Sequence, residues 1–249
     1  MRLDQFVSQA LQISRNEAQK LIRAGFISVN QTVVTKAPTN ITADANVTYD
    51  DEPLSLPGLL YLILHKPLGV ISATEDPSQR TVLDLIKHPH ARLLHPVGRL
   101  DKDTTGLLLL TNDGQWSHRI TTPRQHVPKV YLAQLAEPLS QLAAQQLLQG
   151  VLLHGETQVV AATKIEILPK QQVRLTIHEG KYHQVKRMLA AVGNRVITLH
   201  REQIGGLQLD PRLQAGDWRL LASTEIELVF ASQEPPLPPL KSHVFSGVS

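Results

Sequence analysis

Residues 98–111, GRLDKDTTGLLLLT, determine the fold prediction for the larger part of this 249-residue chain. Leu107–Leu110 predict a purely apolar, buried strand. Asp101 lies at the mouth of that strand, where a carboxylate is partly desolvated and needs a cationic partner to remain ionised. The residues alone leave a second interpretation open, a surface loop with a local ion pair such as Arg99 with Asp101.

A second unusual stretch, EGKYHQVKRM at residues 179–188, supplies a candidate partner for the acid. After Gly180 the pattern becomes helical, with one apolar stripe formed by Val185, Met188, Leu189 and Val192. Lys186 lies at the edge of this stripe, where its amine can enter a cleft lined by the same face. Arg187 is expected on the opposite side, towards solvent or phosphate. The alternative for Lys186 is a lysine that snorkels from an amphipathic helix.

The chain around these two stretches alternates between strand-like and helical segments. The strand-like segments are 61–64, 130–135, 159–168, 173–177 and 196–199, and the helical ones are 139–148 and 183–192. Strands outnumber helices and hairpin-length gaps are common, which favours an α+β domain with a mixed, largely antiparallel sheet. We expect this domain at residues 59–231, followed by a proline- and serine-rich tail at 232–249 that is expected to be disordered.

The first 58 residues predict a smaller module and its linker. Ser14 and Glu17 form a capping-box pattern at the start of a second helix, and Gly25 is expected to end it. Short strands are predicted at 27–29 and 32–34, joined by a tight turn. Acidic residues between 44 and 52, followed by Pro53, Pro57 and Gly58, are interpreted as a linker.

The second helix of this module is basic along one side. Arg15, Lys20 and Arg23 form a polar strip beside the buried stripe, which suits contact with a phosphate backbone. A second basic segment, residues 170–201, holds seven lysines and arginines against one acid, although the net charge of the chain is only +3. Two separated basic surfaces suggest a polyanionic partner that touches both, and solvated helix faces are the alternative.

Composition excludes several classes of protein. The chain has no cysteine, which excludes disulfide scaffolds, zinc ribbons and thiol nucleophiles. The apolar runs are too short for a membrane-spanning helix, and the N-terminal residues lack the apolar stretch of a signal peptide. We therefore expect a cytoplasmic protein without membrane partners.

Taken together and in order, the motifs resemble a known family. The first fifty or so residues resemble an S4 RNA-binding module. The stretches at 98–114 and 179–188, with Lys129-Val130-Tyr131-Leu132 between them, resemble the signature blocks of pseudouridine synthases of the RsuA type. The resemblance spans about residues 1 to 230, and residues 113–132 are closer to the small-subunit ribosomal enzymes than to their large-subunit relatives.

The resemblance implies an activity and a role for each matching residue. It implies isomerisation of one uridine of small-subunit (16S) ribosomal RNA, either naked or in a ribonucleoprotein assembly intermediate. No interface pattern stands out in the sequence, so we expect a monomer. The reaction exchanges a C1′–N1 bond for a C1′–C5 bond, so neither cofactor nor metal is expected. The implied catalytic residues are Asp101, Lys186 as its cationic partner and Tyr131, which stacks on the base. The implied RNA contacts are Arg99, Lys181, Arg187 and the helix residues Arg15, Lys20 and Arg23, with Leu199 on the wall of the pocket.

Three alternatives remain beside this expectation. The first is a related synthase that acts on large-subunit RNA. The second is an RNA-binding assembly factor that keeps the fold without turnover. The third is a glycosidase that releases uracil, although two paired carboxylates are expected there and Asp101 with Asp103 on one short loop is a poor match.

Overall fold

The computed structural model describes residues 1–231, so the predicted disorder at 232–249 lies outside the described residues. Residues 1–53 form two helices and a four-stranded antiparallel sheet of order β2-β1-β3-β4. The elements are α1 (Leu3–Leu11), α2 (Arg15–Arg23), β1 (Ile27–Val29), β2 (Thr32–Val33), β3 (Val47–Tyr49) and β4 (Glu52–Pro53). The capping box is confirmed, since Ser14 and Glu17 each accept a hydrogen bond from the other's backbone amide.

The predicted linker begins too early. Residues 50 and 51 form the turn of the β3–β4 hairpin, with φ of 50° and 65°. Two adjacent residues with positive φ are typical of a tight hairpin turn, and aspartate tolerates this conformation better than most residues. The acids at this point therefore belong to the sheet of the module, and the extended connection to the next element starts after Pro53.

The second part of the chain is a nine-stranded mixed sheet with helices on its faces. Its helices are α3 (Gly114–Thr121), α4 (Gln141–Gln149), α5 (Gln184–Ala191) and α6 (Ser223–Leu228). The strands of the sheet are β5 (Tyr61–Lys66), β6 (His95–Val97), β7 (Thr104–Thr111), β8 (Lys129–Leu135), β11 (Lys164–Leu168), β12 (Gln172–Ile177), β13 (Val196–Ile204), β14 (Leu207–Gln208) and β15 (Trp218–Leu220). Two short strands, β9 (Val151–Leu152) and β10 (Val159–Val160), form a separate pair. The order is β11-β12-β8-β13-β7-β5-β15, with β14 on β13 and β6 on β7. In the described chain every pair in this sheet is antiparallel except β13 with β7, which confirms the predicted fold class.

Strand β7 is central and covered on both faces. Leu107–Leu110 are each completely buried. Leu108 and Leu110 pack into the core beneath α4 and α5, whereas Leu107 and Leu109 pack on the opposite side with Trp116 of α3. Two buried faces explain why the strand has four leucines in a row rather than an alternating pattern.

The prediction of one continuous strand at 159–168 is wrong, because the chain leaves the strand conformation in the middle of this segment. Val159 and Val160 pair with β9 in a separate two-stranded sheet, and only Lys164–Leu168 joins the main sheet. Between them, the amide of Ala162 donates to the carbonyl of Leu147 in α4. The chain thus changes its pairing partner, which an uninterrupted β-prone sequence does not reveal.

Among residues 1–231, no helix has the length and apolar composition needed to cross a bilayer.

Gly106 provides a test of the contact between β7 and β13. Its φ is +107°, and a Cβ there would lie 2.3 Å from the carbonyl oxygen of Arg201. We expect Gly106→Ala to cost more than about 4 kcal/mol, because both clashing groups belong to a paired sheet backbone. Gly69→Ala is the control, since Gly69 has a similar φ of +82° but open space around it. That substitution should cost about 1–3 kcal/mol, from backbone strain alone. Denaturant unfolding measures both, and equal losses would contradict the close approach.

Candidate active site

The loop between β6 and β7 carries a carboxylate that meets a lysine from a distant helix. The amine of Lys186 on α5 donates to Oδ2 of Asp101 at 2.8 Å and to Oδ1 of Asp103 at 2.5 Å. Asp101 is partly buried, whereas the side chain of Asp103 is 71% exposed. The structure therefore brings together the acid and the base that the sequence separates by 85 positions.

The electrostatics of this triplet keep the lysine charged. Burial alone would lower the pKa of Lys186, but the hydrogen bonds and charges of Asp101 and Asp103 outweigh it and raise that pKa above its ordinary value. The hydrogen bond from Lys186 in turn lowers the pKa of Asp103. The charge-assisted bond from this ammonium group fixes the orientation of Asp101.

The predicted aromatic and apolar residues line the same cleft. Tyr131 on β8 and Leu199 on β13 border it together with Arg99, Asp101 and Lys181. Tyr131 and Leu199 are both buried, at 8% and 5% exposure, because neighbouring strands β8 and β13 present them on one face of the sheet. Arg99 is exposed at the mouth.

Sequence reasoning missed Arg201, which was counted only as part of a basic segment. Its Nη1 donates to the hydroxyl of Tyr131 at 3.4 Å, and its Nε donates to the carbonyl of Leu107 at 2.8 Å. The guanidinium group is buried and links Tyr131 to the central strand. A periodic sequence pattern gives no signal for such a contact, because its three members come from three strands.

Lys66, at the end of β5, was also missed. It is completely buried, and its amine donates to the carbonyls of Thr104 at 2.8 Å and Pro67 at 3.1 Å. Burial lowers its pKa to about 8, although the nearby charges of Asp101 and Asp103 act in the opposite direction. Lys66 thereby anchors the first residue of β7, directly after the loop that carries Asp101.

His183 makes a second contact with the carboxylate. Its Nε2 lies 3.5 Å from Oδ1 of Asp101, whereas Lys186 bonds to the other oxygen, Oδ2. The helix that was predicted to begin at residue 183 begins at Gln184, and His183 precedes it in a left-handed conformation with φ of 49°. That conformation is uncommon for a residue with a side chain and marks a constrained position.

The predicted phosphate ligands near the cleft are paired with an acid. Lys181 donates to Glu156 at 2.8 Å, and Arg187 donates to the same carboxylate at 3.3 Å. Arg187 also donates to the carbonyls of His154 at 2.5 Å and Tyr182 at 3.2 Å. Arg187 was predicted to point towards solvent or phosphate, and in the structure the loop at 154–156 folds against it, so that its side chain is only 26% exposed.

On the N-terminal module, the basic strip of α2 is organised by a buried acid. The carboxylate of Asp4 has no exposed surface and accepts hydrogen bonds from Arg2, Arg15 and Gln19. These bonds hold the pKa of Asp4 well below its usual range. Arg15 is thus held in one orientation, while Lys20 and Arg23 are exposed beside it.

Asp4→Asn should destabilise the N-terminal module by about 2–3 kcal/mol, because two guanidinium groups lose their buried counter-charge. Both arginines are about half exposed, so solvent screens part of the loss. Glu17→Gln on α2 is the control, since its carboxylate is exposed, and should cost under about 1 kcal/mol. The pKa of Asp4 is lower in the folded state than in the unfolded state. The stabilisation that its carboxylate gives the wild-type module is therefore present at neutral pH and should be lost as the pH falls below about 4. Thermal unfolding of the variants at pH 7 and pH 3 measures both effects, and a pH-independent difference would contradict the assignment.

The arrangement supports carboxylate chemistry at the bottom of a small cleft. An ionised carboxylate can act as a nucleophile or as a general base. Within residues 1–231, His, Asp and Glu side chains form no group of three that could hold a metal ion. The site therefore presents one oriented carboxylate, a fixed ammonium group, a buried phenol and an apolar wall.

Comparisons with known proteins agree on one family. The family model described as RNA pseudouridylate synthase matches residues 60–191, and the S4 domain model matches residues 1–47. A Yersinia pestis protein named Ribosomal small subunit pseudouridine synthase A is 48% identical over 232 residues, which are 93% of this chain and 99% of that protein. The protein of the same name from Escherichia coli K12 is 47% identical over 92% of this chain and its own full length. A solved structure described as a pseudouridylate synthase shares 42% identity and a TM-score of 0.68, covering 92% of this chain and 99% of that one.

Proposed function

The chain belongs to the RNA pseudouridylate synthase family, and on that premise we propose that it converts one uridine of small-subunit ribosomal RNA to pseudouridine, with Asp101 as the catalytic carboxylate. The contact between Asp101 and Lys186 in a cleft bordered by Tyr131 is the observation that carries the catalytic assignment. The small-subunit substrate rests on relatives of that name that are 47–48% identical over nearly their whole length.

The reaction is an isomerisation. The C1′–N1 bond of the uridine breaks, the uracil rotates, and a C1′–C5 bond forms, after which C5 loses its proton and N1 gains one. No atom or electron is gained or lost, so the only groups required are those that activate and hold the base. Asp101 supplies the carboxylate, and Lys186 orients it through a charge-assisted bond.

The remaining residues bind and orient the nucleotide. Tyr131 stacks on the displaced uracil, and its phenol assists proton removal at C5. Leu199 contributes the apolar wall. Arg99, exposed at the mouth, displaces the target nucleotide from its stack, which costs a few kcal/mol.

Phosphate contacts offset that cost. We assign them to Lys181 and Arg187 beside the cleft and to Arg15, Lys20 and Arg23 on α2. For Lys181 and Arg187 this assignment requires a phosphate to compete with Glu156, their present partner. Residues 1–58 then act as the RNA-binding part and residues 59–231 as the catalytic part of a cytoplasmic monomer that acts on ribosomal RNA or on an assembly intermediate.

Mapping pseudouridine in ribosomal RNA tests this function. Cells that lack the gene should lose one small-subunit site, and the wild-type gene should restore it whereas the Asp101→Asn gene should not. Loss of a large-subunit site would overturn the substrate assignment. No change at any site would favour the assembly factor that binds RNA without turnover.

A further inference from the structure

An exposed aromatic pair stands beside the cleft and has no part in the mechanism above. The ring of Tyr182 stacks on the ring of His183, with centroids 3.8 Å apart and an angle of 19° between the planes. Tyr182 is 75% exposed, a larger fraction than any other large hydrophobic side chain within residues 1–231. His183 lines the cleft and reaches Asp101 with its Nε2. One ring of the pair thus faces solvent while the other borders the catalytic carboxylate.

The backbone beneath this pair is fixed on both sides. Arg187 donates to the carbonyl of Tyr182, and the amide of Lys181 donates to the side chain of Gln184. His183 holds its left-handed conformation at the first turn of α5, where its carbonyl accepts from the amide of Arg187. A single exposed apolar residue needs no special explanation. A ring held against another ring at the rim of a cleft is a preorganised stacking surface.

We propose that the free face of Tyr182 stacks on the base next to the target uridine. This proposal rests on the proposed function. Displacing the uridine removes the stacking partner of a neighbouring base, and proteins bind unstacked RNA bases on exposed aromatic rings. The Tyr182–His183 pair replaces the lost partner at the point where the chain of the RNA enters the cleft. Because every base has a π-face, the contact tolerates any neighbouring base and contributes affinity rather than sequence choice.

Three substitutions of Tyr182 separate stacking from other roles. Tyr182→Phe keeps the ring and should behave as wild type, whereas Tyr182→Ala should raise KM by about tenfold and leave kcat unchanged. Tyr182→Leu keeps apolar area without a π-face, so its KM should lie between those of Tyr182→Phe and Tyr182→Ala. Since the side chain is exposed, all three should unfold at the wild-type temperature.

A fluorescent base gives the direct measurement. The substrate is a ribosomal RNA fragment that the wild type converts, with 2-aminopurine placed in turn on the 5′ and 3′ sides of the target uridine. Stacking quenches this base, so binding of wild type or Tyr182→Phe should quench it at one of the two positions, and binding of Tyr182→Ala at saturation should not. The inference would be overturned if Tyr182→Ala had the KM and the quenching of the wild type, or if it lost only kcat. The proposed function would stand in both cases. A wild type that forms no pseudouridine in any ribosomal RNA would overturn both.

Discussion

Asp101→Asn should reduce pseudouridine formation by about 10⁴-fold or more and leave RNA affinity and folding nearly unchanged. The amide is isosteric with the carboxylate but is neither a nucleophile nor a base at neutral pH. Folding should survive, because Lys186 retains Asp103 as a partner at 2.5 Å. RNA affinity should survive, because the substitution removes a negative charge from a surface that binds phosphate. Single-turnover conversion and a gel-shift titration measure the two quantities.

Asp103→Asn is the matched control for this experiment. Both carboxylates accept a hydrogen bond from the same amine, at 2.8 Å for Asp101 and 2.5 Å for Asp103, but Asp103 is far more exposed. We expect Asp103→Asn to retain activity within about tenfold, the effect of one lost bond to a charged group. If the two substitutions had equal effects, the catalytic role could not be assigned to Asp101 alone. Free uracil released by the wild type would instead support the glycosidase alternative, which needs both acids.

The local parts of the fold could be predicted because neighbouring residues determine them. The capping box of Ser14 and Glu17 and the buried strand at Leu107–Leu110 depend on spacing within a few positions. The place of Lys186 at the edge of a helical stripe is also local, and the prediction that its amine enters a cleft follows from helix geometry. Its contact with Asp101 was one of two interpretations that the residues left open, and the resemblance to a family favoured it, since no pattern measures the distance between two separate segments.

The contacts that the sequence did not reveal come from elements that meet only in the folded chain. Lys66 binds the start of β7, and Arg201 joins Tyr131 to Leu107, across three different strands. Arg187 was expected to point towards solvent or phosphate, but Glu156 from a loop 31 positions earlier bonds to it. Each of these residues is a cation whose position is determined by an acceptor outside its own element.

Lys186→Met should lower kcat by about 10²–10³-fold, because the carboxylate of Asp101 is then no longer held in one orientation. KM should change little, since Lys186 is bonded to two carboxylates rather than directed at phosphate. Methionine keeps the length of the apolar stem, which packs beside the buried stripe of α5. Lys186→Arg restores a cation and should recover most of the lost kcat, although its planar head fits a site built for a compact ammonium less well.

The division of the effect between kcat and KM distinguishes the two roles of a lysine at this position. If Lys186 bound phosphate, its loss would raise KM and leave kcat unchanged. If Lys186 positions Asp101, its loss lowers kcat. Steady-state kinetics of wild type, Lys186→Met and Lys186→Arg give the answer, with RNA affinity measured separately. A Lys186→Met enzyme that keeps wild-type kcat and loses only affinity would contradict the role of Lys186 as the partner that positions Asp101. Because Asp101 is only partly buried, solvent also reaches its carboxylate, so the Lys186→Met measurement decides whether the bond from the lysine is needed to hold that carboxylate in its reactive orientation.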